Sequence, residues 1–199
     1  MRIERYDGQE AAWVEDELRT VYREAFAEPP YDKTSEDVEA NFRRFRSQAK
    51  QAGFRAVLAR SDDGEPAAMA YGYPLSASTG WWDTLTAPVP AEVSREDGHR
   101  TFGLFELAVR PAWRRQHLAT AVHHELMDGL VQERVLLNTR PEAEAAGRAY
   151  RSWGYEKVGE NHPWTGAALH DVLVLDLPGW DQTAPAAGHS ILPPRHTRR

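Results

Sequence analysis

Apolar residues recur along this chain with two spacings, and each switch between them marks a boundary. Ile3 and Tyr6 alternate with polar neighbours over residues 1–6, which predicts a short first strand. Between Glu10 and Phe26, the positions Val14, Leu18, Val21, Tyr22, Ala25 and Phe26 follow a helical period. Glu28-Pro29-Pro30-Tyr31 breaks that helix, since neither proline supplies a helical N–H. Thr34 or Ser35 can cap a second helix reaching about residue 51, with Val38, Phe42 and Phe45 on one face, and Gly53 ends it. Residues 54–60 and 66–75 read as strands joined by the turn Asp62-Asp63-Gly64.

Residues 76–100 set Ser, Thr, Gly, Pro and charges around Trp81-Trp82 and follow neither period; a connection of that length is usually a lid or a binding loop. Residues 102–109 form the strongest strand pattern, broken by Arg110-Pro111. A helix over 117–131 then buries Leu118, Ala121, Val122, Leu126 and Leu130. A short buried strand follows at 135–138. Pro141 opens another helix, with Ala146, Ala149, Tyr150 and Trp153 on its inner face and Gly154 at its close. The last strands fall at 155–158 and 171–177. The order predicts an α/β (α+β) domain over 1–177, a mixed sheet of six to seven strands flanked by about four helices. Residues 178–199, rich in Pro, Ala and Arg, read as a tail.

Composition narrows the function classes. The 199 residues include no cysteine, which excludes disulfides, thiolate metal sites and a cysteine nucleophile. A net charge of −6 argues against a nucleic-acid-binding surface. The stretch Arg43-Arg44-Phe45-Arg46 reads as the wet face of a helix. No apolar run approaches the roughly 18 residues of a membrane span, and the charged start Met1-Arg2-Ile3-Glu4-Arg5 does not resemble a signal peptide, so the cytoplasm is the expected compartment. His117, His123 and His124 share a helix, but no second histidine completes a His-Glu-x-x-His pattern, and no metal is expected.

The segment Arg110-Pro111-Ala112-Trp113-Arg114-Arg115-Gln116-His117-Leu118-Ala119 joins a buried strand to an amphipathic helix. A helix start leaves about four N–H groups without intrahelical partners, and the aligned peptide dipoles make that end positive. With three arginines beside it, this turn is either a solvated basic loop or a site for a phosphate-bearing ligand.

These residues resemble the GNAT superfamily of acetyl-CoA-dependent N-acyltransferases. Leu107-Ala108-Val109-Arg110-Pro111, then Arg114-Arg115-Gln116-His117-Leu118-Ala119, is similar to the family's apolar strand, Val-x-Pro and Arg/Gln-x-x-Gly-x-Gly/Ala. Ala146-Gly147-Arg148-Ala149-Tyr150-Arg151-Ser152-Trp153-Gly154-Tyr155 is similar to its Ala-x-x-x-Tyr-x-x-x-Gly-Phe/Tyr helix. The sequence departs from the family at His117, which stands where glycine is usual, and at Ala143, where many relatives place asparagine.

The resemblance implies acetyl-CoA as acetyl donor, with the backbone of Leu107, Ala108 and Val109 pairing with pantetheine. It also implies that the amides of Arg114, Arg115, Gln116, His117, Leu118, Ala119 and Thr120 hold the pyrophosphate. Glu106, within an apolar run, is the candidate base; the other reading is a carboxylate paired with Arg100 or Arg110. Tyr150 is the candidate acid toward the leaving sulfur, or else a core aromatic. Glu28, Tyr31, Asp32, Trp81, Trp82 and Asp83 occupy places where relatives often build an acceptor pocket, and are otherwise surface charge or loop anchors. The implied reaction is direct transfer to a primary amine, with a small molecule the preferred acceptor and a homodimer the implied assembly. The alternatives are a coenzyme-binding sensor without turnover and a protein-interaction module.

Overall fold

In the computed structural model, which describes residues 1–177, all seven predicted strands are present. They are β1 (Arg2–Tyr6), β2 (Arg55–Arg60), β3 (Pro66–Pro74), β4 (Thr101–Val109), β5 (Arg134–Thr139), β6 (Glu156–Asn161) and β7 (His170–Asp176). The helices are α1 (Glu15–Phe26), α2 (Ser35–Gln48), α3 (Ala91–Ser94), α4 (Leu118–Met127) and α5 (Glu144–Ser152). The tail expected at 178–199 lies outside the described residues. Among those described, no helix is long and apolar enough to cross a membrane.

The strands make one sheet in the order β1-β2-β3-β4-β5-β7-β6. Every pairing is antiparallel except β4 with β5. A parallel pair needs a crossover connection, here the one carrying α4. On one face Leu18 and Val21 of α1 and Phe42 and Phe45 of α2 pack on Leu58, Met69 and Tyr71. On the other, Leu118, Val122 and Leu126 of α4 pack on Val57, Ala68, Ala70, Phe102 and Val135, joined by Tyr150 of α5.

Several element boundaries differ from the sequence reading: α2 ends at Gln48 rather than about 51, and β6 runs on to Asn161 rather than 158. Helix α4 stops at Met127 rather than running to 131, because Asp128 turns to an extended ψ of 125° and Gly129 adopts a φ of +66°. Helix α5 begins at Glu144 instead of Pro141. Residues 10–14 form a 3₁₀ turn ahead of α1. The cap of α2 was legible: the Thr34 side chain accepts from the Asp37 N–H, and the Asp37 carboxylate accepts from the Thr34 N–H.

Two irregularities of the sheet create the site. The first is where β4 and β5 part. Their pairing covers only Thr101↔Arg134, Phe102↔Val135 and Gly103↔Leu136, yet β4 runs on to Val109. Beyond Gly103 the two strands splay, and β4 presents an open edge toward β5. The second is a bulge: Tyr71 faces Glu106 but Gly72 faces Leu104, so Phe105 is the extra residue. Phe102 and Leu104 pack on the α4 face, as do Leu107 and Val109, whereas Phe105 and Ala108 face α1 and α2. The bulge therefore shifts the alternation by one residue and turns Glu106 to the α1/α2 side. Gly72 permits the close approach, since a Cβ there would lie 2.2 Å from the Gly103 carbonyl oxygen and 2.5 Å from the Phe102 ring.

The long connection between β3 and β4 is ordered by a buried ion pair. One Glu96 carboxylate oxygen accepts from the Trp82 Nε1–H at 3.0 Å, from the Thr101 hydroxyl at 2.9 Å and from the Arg134 guanidinium at 2.9 Å. The side chains of Glu96 and Arg134 are only 2% and 5% exposed. Arg134 also donates to the Val93 carbonyl, tying α3 to β5.

Candidate active site

A cleft of about 740 Å³ opens where β4 and β5 separate, lined by residues from both faces of the sheet. Leu104, Phe105, Glu106 and Leu107 come from β4; Leu137, Asn138 and Thr139 come from β5; Ala146 and Tyr150 come from α5. The floor is polar and underused. Trp81 Nε1, Asn138 Oδ1, Thr139 Oγ1, Arg140 Nε and Asn161 Oδ1 belong to residues lining the cleft, and each is buried without a hydrogen-bond partner among the described residues. Buried polar atoms left unpaired are costly, so these call for water or a ligand in the cleft to satisfy them.

Glu106 stands in this wall as a partly buried carboxyl. Burial pushes its pKa up from 4.5 to about 7, against the opposing pull of Arg44 and then Lys33. Neither arginine considered as a partner reaches it: Arg100 is bonded to Glu133 at 2.9 Å, and Arg110 to Glu24 at 2.7 Å. The ion-pair reading is thereby replaced by a carboxyl free to exchange a proton near neutral pH. Tyr150 lies in the same cleft, and burial, with Tyr31 and Glu106 adding to it, raises its phenol pKa, so the hydroxyl keeps its proton at neutral pH. Its ring also packs edge-on to Trp153 and Tyr155, so the core reading and the cleft reading both hold.

The open edge and the following turn form a second surface. The Arg110 N–H donates to the Ala67 carbonyl at 3.0 Å. Antiparallel strands alternate, so the Ala108 amide is turned to β3 while those of Leu107 and Val109 point into the gap. Of the three residues expected to pair with pantetheine, Leu107 and Val109 thus offer their main chain, and Ala108 does not. Past β4, the N–H groups of residues 115–120 have no acceptor among the described residues. Arg115 and His117 hold left-handed φ angles of +62° and +59° there. That conformation is why glycine suits position 117, and histidine is among the side chains that tolerate it. The His117 side chain is solvent-exposed. Arg114 is committed elsewhere: its guanidinium donates to Glu28 at 3.0 Å and to the carbonyls of Ala25 and Val109. It braces the turn against α1. Gln116 donates to the Ala112 carbonyl at 3.5 Å.

The structure divides the acceptor candidates. Tyr31 and Trp81 line the cleft. Glu28, paired with Arg114, does not, and neither do the exposed Asp32 and Asp83. Trp82 is a loop anchor, bonded to Glu96 with the Arg134 guanidinium 5.2 Å from its ring centroid. Asp37, Asn41, Arg44 and Gln48 also line the cleft and were missed. Arg44, read as part of the wet face of its helix, is exposed as expected and also borders the cleft. A signal was present, since these four residues recur at i, i+4, i+7 and i+11 beside the apolar stripe of α2. His123 is buried, with Nε2 2.9 Å from the Tyr155 hydroxyl and its ring stacked on Trp153. Among the described residues, no group of three His, Asp or Glu side chains is arranged for a metal.

Comparison with known proteins agrees with this architecture. Residues 15–155 match the model of the acetyltransferase (GNAT) family, and the chain belongs to that family. An aminoglycoside 6'-acetyltransferase type Ii aligns with a TM-score of 0.61 at 16% identity, covering 88% of this chain and 97% of its own. An aminoglycoside 6'-N-acetyltransferase complexed with coenzyme A aligns with a TM-score of 0.61 at 15% identity, covering 91% and 100%. The ribosomal-protein-S18-alanine N-acetyltransferase from Escherichia coli aligns with a TM-score of 0.58 at 17% identity, covering 92% and 98%. A search among curated protein sequences gives no match.

Proposed function

We propose that this chain is an N-acetyltransferase that moves an acetyl group from acetyl-CoA directly to a primary amine of a small-molecule acceptor. The observation that carries this reading is an unpaired carboxyl, Glu106, with a pKa near 7, in one cleft with a protonated phenol, Tyr150, beside an open strand edge. The structural relatives, at 15–17% identity, support the fold and not the acceptor.

The chain's groups fit the coenzyme. Free amides at 115–120 suit a diphosphate. The edge amides of Leu107 and Val109 suit an extended amide-bearing arm, which adds to β4 as a strand would. The bound thioester supplies an activated acyl carbon.

An alkylammonium with a pKa of about 10.4 has no lone pair for attack at neutral pH. Glu106 accepts that proton, and its raised pKa keeps the base from being too weak for the task. The gap-facing N–H of Val109 or Leu107 donates to the carbonyl oxygen as charge develops there. As the C–N bond forms and the C–S bond breaks, Tyr150 gives its proton to the departing sulfur and regains one from the nitrogen, which sheds its second proton to become an amide. The absence of cysteine fits transfer without a cysteinyl acyl-enzyme.

A library of amines incubated with acetyl-CoA, read by thiol release and by the mass gain of one acetyl group, should show acceptor-dependent turnover. Calorimetric binding of acetyl-CoA with no acetylation of any amine would favour the sensor instead, and absence of binding would favour an interaction module. Tyr150→Phe keeps the ring contacts but removes the proton. It is expected to lower kcat about ten- to a hundredfold, with little change in the dissociation constant for acetyl-CoA.

A further inference from the structure

The charges around the cleft deepen this reading by constraining the acceptor, a constraint that rests on the transferase assignment. The charged side chains lining it are Lys33, Arg44 and Arg140 against Asp37 and Glu106. In a chain of net charge −6 that balance is reversed from the average.

Not all of these groups are free. The Asp37 carboxylate stays charged and is held at the α2 cap through Oδ2, which accepts the Thr34 N–H at 2.9 Å and the Thr34 hydroxyl at 2.8 Å. Arg140 donates to the Pro30 carbonyl and has the Glu142 carboxylate 3.6 Å away. Lys33 and Arg44 make no ion pair with any carboxylate of the described residues.

Arg44 is nevertheless held in place. Its guanidinium donates to the Asn41 side-chain Oδ1 at 3.1 Å and lies 5.8 Å from the Trp164 ring centroid. Asn41 is itself 2% exposed and donates to the buried Tyr71 hydroxyl at 3.4 Å. A guanidinium positioned by a buried amide and an aromatic face, with no carboxylate of its own, offers its remaining N–H fork to an anion. A polycationic acceptor would meet Arg44 and Lys33 as like charges, which is unfavourable for docking.

We propose that the acceptor is an amine that also carries a carboxylate, an amino acid or a close analogue, docked with its carboxylate on Arg44 and Lys33 and its amine toward Glu106. Aromatic walls from Phe26, Trp81 and Phe105 then receive an apolar side chain.

The test is a panel of free amino acids, each matched with its carboxamide and its decarboxylated amine, with spermidine as the polycation. Binding to the coenzyme A-loaded protein is measured by calorimetry, and turnover with acetyl-CoA by thiol release. At least one free amino acid should exceed both of its matched partners in affinity and in kcat/KM by roughly ten- to a hundredfold. Arg44→Gln should collapse that ratio toward one, mainly through KM, and Arg44→Lys should restore part of it. Carboxylate-dependent binding without turnover would uphold the carboxylate subsite at Arg44 and Lys33 and sink the transferase assignment. Turnover with no carboxylate preference, or with spermidine preferred, would overturn the acceptor and leave the transferase standing. No binding and no turnover across the panel would overturn both.

Discussion

Glu106→Gln is expected to lower kcat roughly a hundred- to ten-thousandfold, while the affinity for acetyl-CoA changes little. In the proposed reaction the carboxylate acts on the amine, whereas the coenzyme would be held by the main chain of the β4 edge and the 115–120 turn. The pH profile gives a sharper readout. Because Glu106 titrates at about 7, wild-type kcat should rise as pH passes through that value, and this limb should vanish in the variant. Equal rates and equal profiles for the two proteins would remove Glu106 from the chemistry.

The same substitution should stabilise the fold at alkaline pH. A carboxyl whose pKa is raised in the folded state binds its proton more tightly there than in the unfolded chain. Stability is therefore fullest below 4.5 and is lost as pH rises through about 7. Glutamine removes that loss, so thermal unfolding at pH 8 should show a gain on the order of 1–3 kcal/mol after allowance for solvent screening. No gain should appear near pH 4. Lower activity with higher stability from one residue is the pattern of a strained functional group rather than a structural one.

The second large effect is expected at Glu96. Glu96→Gln leaves the Arg134 guanidinium buried without its counter-charge, which should cost about 3–5 kcal/mol. For a chain of this size the unfolding midpoint should drop by about 6–20 °C. The combined change Glu96→Leu with Arg134→Met replaces both charges by apolar groups and should lose much less than the single change. A single variant that melts with the wild type would show that the ion pair does not hold the 76–100 connection. The effect should extend to the acceptor side, because Glu96 also fixes Trp82, next to the cleft-lining Trp81.

The strands and helices were legible because each buries one face, and that leaves a period in the chain. Leu18, Val21 and Tyr22 marked α1, and Val38, Phe42 and Phe45 marked α2, as they do in the structure. The basic turn was legible because an exposed helix start and its arginines are a local feature. Its details were not. Nothing in the arginine spacing says that Arg114 turns back to Glu28 and Ala25, since that contact joins residues far apart in sequence.

The cleft's α2 wall was missed for a related reason. A polar stripe on a helix looks the same whether it faces water or a ligand site. Only the tertiary placement of α2 beside the cleft gives Asn41 and Arg44 a cleft to face.

The sequence by itself determined the order of elements and the family, and singled out the carboxylate and the tyrosine proposed for the chemistry. Local periodicity and short motifs suffice for those. The tertiary structure alone decided which face Glu106 points to. Simple alternation from Phe102 and Leu104 would send it toward α4, and the bulge at Phe105 sends it toward α1 and α2. A bulge depends on how two strands pair, so it belongs to the pair and is written in neither strand alone.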